Sequence, residues 1–279
     1  MRLLRALGAR NFARRFALAA LVCAGTAVPL KADIFEITYD AAGVTSPTAS
    51  TICASASKCL LDEETFNEAW SEPSFNATWT SLESLNVSGD SFTGKYAGTT
   101  SLTRDAAGEY GGSQGTSGDY YAEVSNGSYT LTLTATGITG ANYFGLWLSA
   151  VDADNTISIY NTAGTLLYTL TAATLIAKLG ACTGAHPSAY CGNPTTGFKG
   201  DDSGEQFVFL NFYDLNGTFG KVTFTEDDAS GLETDDQTVG FISTITMTGT
   251  PLYTNGPEPG SFALLSIGAI AMIALKRRC

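Results

Sequence analysis

The chain has 279 residues, with 27 acidic against 15 basic side chains and a formal net charge of −12. Nine of the basic residues lie outside residues 33–256, so that stretch holds six basic and 26 acidic side chains, a net −20. Such a surface has no Lys/Arg patch with which to release phosphate counterions, which excludes nucleic acid and anionic lipid as its partners.

In chain order, residues 1–15 carry Arg2, Arg5, Arg10, Arg14 and Arg15 with no acid, and residues 16–30 are apolar and rich in alanine. Leu30-Lys31-Ala32 then offers a cleavage site before Asp33, with Ala27 as a competing position. Residues 1–32 read as a secretory signal peptide.

The next 220 or so residues suffice for one sizeable core. Strands are expected at 34–39, 120–124, 129–135, 143–151, 156–160, 166–170, 207–212, 221–225 and 241–248. In 129–135, Tyr129, Leu131, Leu133 and Ala135 alternate with threonines, the pattern of a half-buried strand. The run FVFLNF at 207–212 is apolar on both faces and suits a central strand, whereas 241–248 alternates and suits one covered on a single side. Turn-forming Gly, Asn, Asp and Ser residues separate these runs, as an antiparallel sandwich requires. Helix is expected to be minor, about two turns each at 60–70 and 173–179. The Gly/Ser-rich stretch 111–118 reads as a mobile loop. The fold class is therefore all-β, an antiparallel β-sandwich over residues 33–250.

Four of the six cysteines, Cys53, Cys59, Cys182 and Cys191, fall within that domain, an even number that suits an oxidising compartment. Local pairs Cys53–Cys59 and Cys182–Cys191 are expected, each adding roughly 2 to 3 kcal/mol on the chain-entropy model. Four cysteines allow three pairings, and the cross-linked alternatives stay open at this point. The gaps do not match a zinc ribbon, and there is a single histidine. That residue, His186, precedes Pro187 inside the Cys182–Cys191 loop and reads as a plain loop histidine. No phosphate loop or dinucleotide fingerprint is present, and no enzymatic activity is expected. Acidic clusters at 152–155, 201–205, 226–228 and 233–236 supply oxygen donors of the type calcium takes, although none is an EF-hand loop.

The last 25 residues read NGPEPGSFALLSIGAIAMIALKRRC. Residues 251–260 form a linker in which Pro257 and Pro259 bar a helix from continuing. Residues 261–275 carry no charge. As a helix they reach about 22 Å, a marginal transmembrane span. Lys276, Arg277 and Arg278 follow and favour the cytoplasmic side, so residues 261–279 are expected to hold the chain in a membrane with its C-terminus inside.

Pro257-Glu258-Pro259, the apolar run and the basic cluster together resemble the PEP-CTERM sorting signal of Gram-negative bacteria. The resemblance implies two partners, the secretion machinery and exosortase, a membrane cysteine enzyme that recognises the Pro-Glu-Pro region, removes the helix and passes the protein to the cell surface. A second resemblance covers roughly 120–240. There ANYFGLW at 141–147, NTISIY at 155–160, FVFLNF at 207–212 and GTFGKV at 217–222 look like the jelly-roll-like domain common in PEP-CTERM surface proteins. In that group the closing segment often reads Glu-x-Asp-Asn, and here Glu233-Thr234-Asp235-Asp236 ends in Asp. The place of that segment makes Asp235 and Asp236 the calcium candidates. The sorting resemblance implies a structural or adhesive surface protein within exopolysaccharide or biofilm. The alternative is a calcium-dependent carbohydrate-binding module, with Trp70, Trp79, Trp147, Tyr120 and Tyr121 as candidate sugar platforms.

Overall fold

A computed structural model describes residues 34–71, 73–98 and 102–255. The expected signal peptide, Pro257, Glu258, Pro259, the apolar run and Lys276, Arg277 and Arg278 lie outside the described residues.

In chain order the elements are β1 (Phe35–Tyr39), α1 (Ala49–Ile52), β2 (Cys59–Glu64), β3 (Ser74–Asn76), β4 (Thr80–Leu85) and β5 (Ser91–Gly98). There follow β6 (Leu102–Ala106), β7 (Tyr120–Val124), β8 (Gly127–Thr136), β9 (Tyr143–Ser149), β10 (Thr156–Asn161) and β11 (Leu166–Thr171). The rest are α2 (Ala172–Leu179), β12 (Val208–Asp214), β13 (Phe219–Glu226), β14 (Leu232–Ile242) and β15 (Thr250–Thr254). One sheet runs β15-β1-β12-β9-β14-β2-β4, with β7 also paired to β14 and β6 to β7. The other runs β11-β10-β13-β8-β5-β3. Neighbouring strands in both are antiparallel, and the two sheets pack as a sandwich.

Strand character follows from what each strand must bury. β8 alternates as its threonines predict, with Tyr129, Leu131 and Leu133 buried in the core and Thr132 and Thr134 exposed. β9 and β12 are buried at every position because both faces of their sheet are covered. Between the sheets, Phe144, Leu146, Leu210 and Phe212 meet Tyr129, Leu131, Ile159, Val222 and Phe224. On the outer face of the larger sheet, Trp147, Phe207 and Phe209 form one cluster, and Tyr143, Tyr213 and Leu61 form another with Ile52 of α1. Gly145 leaves that face open, since a Cβ there would strike the Tyr143 hydroxyl and come within 3.0 Å of the Phe209 ring.

Both local disulfides are present. Cys53–Cys59 ties the residue after α1 to the start of β2 with Cα atoms 5.8 Å apart, and Cys182–Cys191 spans 5.4 Å. The pairing fits an oxidising compartment.

Three sequence expectations are corrected. Residues 60–70 do not form a helix: 59–64 are β2, which pairs with β14 on one side and β4 on the other. Nonlocal pairing outweighs the helical spacing of its leucines and acids. The strand expected at 241–248 ends at Ile242 and starts at Leu232, passing through the acidic run 233–236. The stretch 111–118 is packed in part: Gly111, Gly112, Ser113 and Gly115 are buried, while Gln114, Thr116, Ser117 and Gly118 are exposed. In addition, β15 enters the sheet beside β1, so ordered chain runs past the boundary at 250 into the expected linker.

Candidate functional site

The acidic run 233–236 lies in the middle of the larger sheet. Along one edge β14 pairs with β9; along the other it pairs first with β7, Leu232 to Thr234 facing Val124 to Ala122, and then with β2 from Gln237 onward. Asp235 and Asp236 stand where the partner changes. Against β9 the register passes from Asp235 opposite Trp147 to Thr238 opposite Gly145, so β14 has one residue extra. At this bulge Asp236 adopts φ +46°, a left-handed conformation that Asp tolerates better than most residues. A bulge re-aims the side chains it carries and often lies beside a functional site.

Strand ends and a loop close the gap around these two carboxyls. Glu63, opposite Thr238, comes from the end of β2, and Asp119 immediately precedes β7. The loop 111–115 supplies backbone N–H groups: Ser113 donates to Asp235 Oδ2 at 2.7 Å, and Gln114 and Gly115 each donate to Asp119 Oδ2 at 2.9 Å. The Asp236 N–H donates to Asp235 Oδ1 at 2.7 Å. Asp235 is 0% exposed, Asp119 2%, Asp236 4% and Glu63 8%. Glu63 Oε1 and Asp119 Oδ1 are buried without a hydrogen-bond partner, and Ser113 Oγ lies beside Asp236 without reaching hydrogen-bond geometry.

Burial is the main cause that raises all four carboxyls above the usual range. Asp235 is raised well above it, next by Asp236 and Asp119, against the opposing Ser113 N–H. Asp236 is also raised well above it, with Glu63 the strongest neighbouring charge. Glu63 is pushed up to about 7 by burial. Asp119 is raised by burial, against the Gln114, Gly115 and Tyr120 N–H groups and the Asn67 side chain, which favour its charged form.

The other acidic clusters gather at one end of the sandwich. Asp154, Glu226 and Asp228 bring carboxylate oxygens within 4.8 Å of one another, the first and last of them exposed. Glu226 accepts the Asp228 N–H at 2.9 Å and a short hydrogen bond from Asn155 Nδ2. Nearby, Glu205 is pushed up to about 8 by burial and by Asp202 and Asp152, and Glu233 up to about 10 by burial and then Glu123. Four clusters separate in sequence thus contribute to two neighbourhoods, and the run 233–236 is shared between them.

Glu63, Asp119, Glu123 and Ser113 join these neighbourhoods without having been singled out from sequence. Glu63 lay within the expected helix and Asp119 beside the expected loop. A signal was present at the loop, where Gly111-Gly112-Ser113-Gln114-Gly115 matches the Gly-x-Ser-x-Gly spacing of a nucleophile elbow. The context of an elbow is missing, since this stretch is irregular chain rather than a strand-to-helix turn, and Ser113 is surrounded by acids. His186 is exposed in its disulfide loop.

The candidate sugar platforms are largely spent on packing. Trp147 is fully buried and Tyr121 nearly so. Trp70 stacks on Phe75 at 4.2 Å, and Phe75 in turn stacks on Tyr96 at 4.5 Å. The Arg104 guanidinium covers the Tyr120 ring at 3.2 Å. Trp79 tucks its ring against Gly94, where a Cβ would come within 2.6 Å of it.

No protein-family model, curated protein or solved structure matches this chain. What the fold itself defines is an acidic, disulfide-bonded β-sandwich with buried carboxylate clusters.

Proposed function

We propose that this chain is an exported protein of the surface or extracellular matrix of a Gram-negative bacterium. In this reading Pro257-Glu258-Pro259 delivers it to exosortase, the apolar run holds it in the membrane until processing, and the sandwich, jelly-roll-like in its finer topology, serves as a structural or adhesive element among exopolysaccharide. The observation that carries the proposal is the order of three segments, Pro-Glu-Pro, an uncharged run and Lys276-Arg277-Arg278, together with the signal-peptide pattern of residues 1–32. Two disulfides support export.

Intact mass of the protein from its native host tests this, compared with a strain lacking exosortase. Loss of the residues after about Pro259 in the first strain alone is the expected result; an uncut tail in both overturns the sorting step. One observation favours the carbohydrate-binding alternative: Trp79, Asn76, Lys95, Thr132 and Thr134 line an open groove of about 400 Å³, joining an aromatic edge to hydrogen-bonding side chains. Glycan-array binding lost in Lys95→Ala would favour that reading, and an array without signal would leave the structural role.

A further inference from the structure

The two sheets differ in charge. Across the six strands of the smaller sheet the single carboxyl is that of Glu226, buried at the end of β13. In the larger sheet, β2 and β14 alone carry Asp62, Glu63, Glu64, Glu233, Asp235 and Asp236. The strands of the smaller sheet therefore present an outer face free of carboxylates, on a chain that is acidic as a whole.

Register sets the outward side chains of that face in rows. Asn76 of β3, Lys95 of β5, Thr132 of β8 and Lys221 of β13 stand opposite one another in turn. Three strand spacings make this row about 14 Å long. In the next row Thr93 lies opposite Thr134. Farther along the face the hydroxyls satisfy one another, Thr130 meeting Thr223 at 3.2 Å and Ser158 meeting Thr169 at 2.9 Å. Thr93, Thr132 and Thr134 are exposed, and their hydroxyls make no hydrogen bond among the described residues.

The surface is hollowed on both sides of these threonines. β13 pairs with β8 only as far as Lys221 opposite Thr132, and the chain beyond leaves a depression of about 330 Å³ bounded by Thr139, Gly140, Thr162 and Gly220. On the other side, the groove of about 400 Å³ holds Asn76, Lys95 and Trp79, whose ring tucks beneath Gly94. Both depressions are lined by Phe92, Thr132 and Thr134, so they adjoin across β8 as one trough.

We infer that this trough binds a neutral polysaccharide, laid across β5 and β8 from Asn76 and Lys95 to Thr139 and Thr162. The inference rests on the carbohydrate-binding alternative and fixes two features of its ligand. The first is length: the trough is longer than one sugar ring, so several linked sugars fill both depressions and a free sugar fills one. The second is charge. The acidic domain repels a uronate chain, and of the two lysines in the row Lys221 is held over the Tyr160 ring at 3.8 Å. Uncharged sugar hydroxyls both donate and accept, as do the free threonine hydroxyls and the Asn76 amide.

The test places the full chain, purified in mild detergent, on an array of neutral polysaccharides, their fragments graded in length from a single sugar, and uronate polysaccharides. Binding to a neutral polysaccharide is expected to tighten at least about tenfold from the single sugar to the longer fragments, the effect of one or two added hydrogen bonds. Thr139→Val combined with Thr162→Val is expected to remove that gain, and Thr132→Val combined with Thr134→Val to weaken binding of every fragment. Lys178→Ala on α2 leaves all of it unchanged. These threonines are exposed, circular dichroism matching the parent shows that a variant has folded, and the length dependence of the parent needs no variant. No gain with length, or a gain that survives Thr139→Val with Thr162→Val, overturns the trough and leaves the groove at Trp79 as a sugar site; no glycan binding at all overturns both. Preference for uronate polysaccharides overturns the inference as well. So does sedimentation that shows dimers dissociated by Thr132→Val with Thr134→Val, which would give the face to a second copy of this chain.

Discussion

Strand β14 carries two sets of buried polar side chains, one on each face of its sheet, and the two differ in their hydrogen bonding. Toward the second sheet, Gln237 accepts from the Tyr96 hydroxyl at 2.8 Å and donates to Tyr129 Oη at 3.0 Å and Thr234 Oγ1 at 2.9 Å, while Tyr129 and Thr234 join at 2.7 Å. Glu64, opposite Gln237, is satisfied by the N–H groups of Phe66 and Thr78. On the outer face, one residue away, Glu63 and Asp119 keep buried oxygens without partners. A complete network of this kind fixes register, whereas the incomplete one leaves carboxyl oxygens buried with no hydrogen bond to offset their desolvation.

Four measurements would break or sharpen that contrast. The largest effect belongs to the apolar material around the complete network. Phe224 stacks on Tyr129 at 4.4 Å and is fully buried, so Phe224→Ala is expected to cost about 3–5 kcal/mol in denaturant unfolding. Gln237→Leu strands the Tyr96 and Tyr129 hydroxyls and is expected to cost roughly 2–4 kcal/mol; a neutral result would mean that the network does not specify register. Replacing Cys53 and Cys59 together by serine is expected to cost roughly 2–3 kcal/mol. Its effect should add to that of Phe224→Ala, since the sites share no partner.

The smallest effect is one of pH. The Glu205 carboxyl is pushed up to about 8 in the folded chain by burial and by its neighbours Asp202 and Asp152, whose own carboxyls are raised as well. A carboxyl raised on folding binds its proton more tightly in the native state, so stability is lost as pH rises from about 4.5 to about 8. In chelator-containing buffer Glu205→Gln should lose less stability over that window than the parent. Identical melting curves at pH 5 and pH 8 for both proteins would remove Glu205 from the account.

Much of the sandwich was legible because its strands obey local rules. Residues 129–135 show themselves by alternation, 207–212 by an apolar run, and 173–179 by a helical one that Thr171 caps through a hydrogen bond from the Thr174 N–H. β14 was not legible, and the reason is specific. Glu233, Asp235 and Asp236 are the residues that ordinarily mark an exposed turn, and the N–H that offsets the burial of Asp235 comes from Ser113, remote in the chain. β2 was misread for a related cause: its strand form depends on β14 and β4, which lie distant in sequence.

The sequence by itself determined the acidic charge, the pattern of the tail, the even set of cysteines and the alternation that demands a β-sandwich, because these are properties of single segments and of composition. Only the tertiary structure decided which acids are buried and which meet. That outcome depends on where β14 exchanges β7 for β2 and on one extra residue at the bulge, and no local periodicity records either. Electrostatic neighbours are set by distance in space, and here they come from residues 63, 119 and 235–236 of one chain.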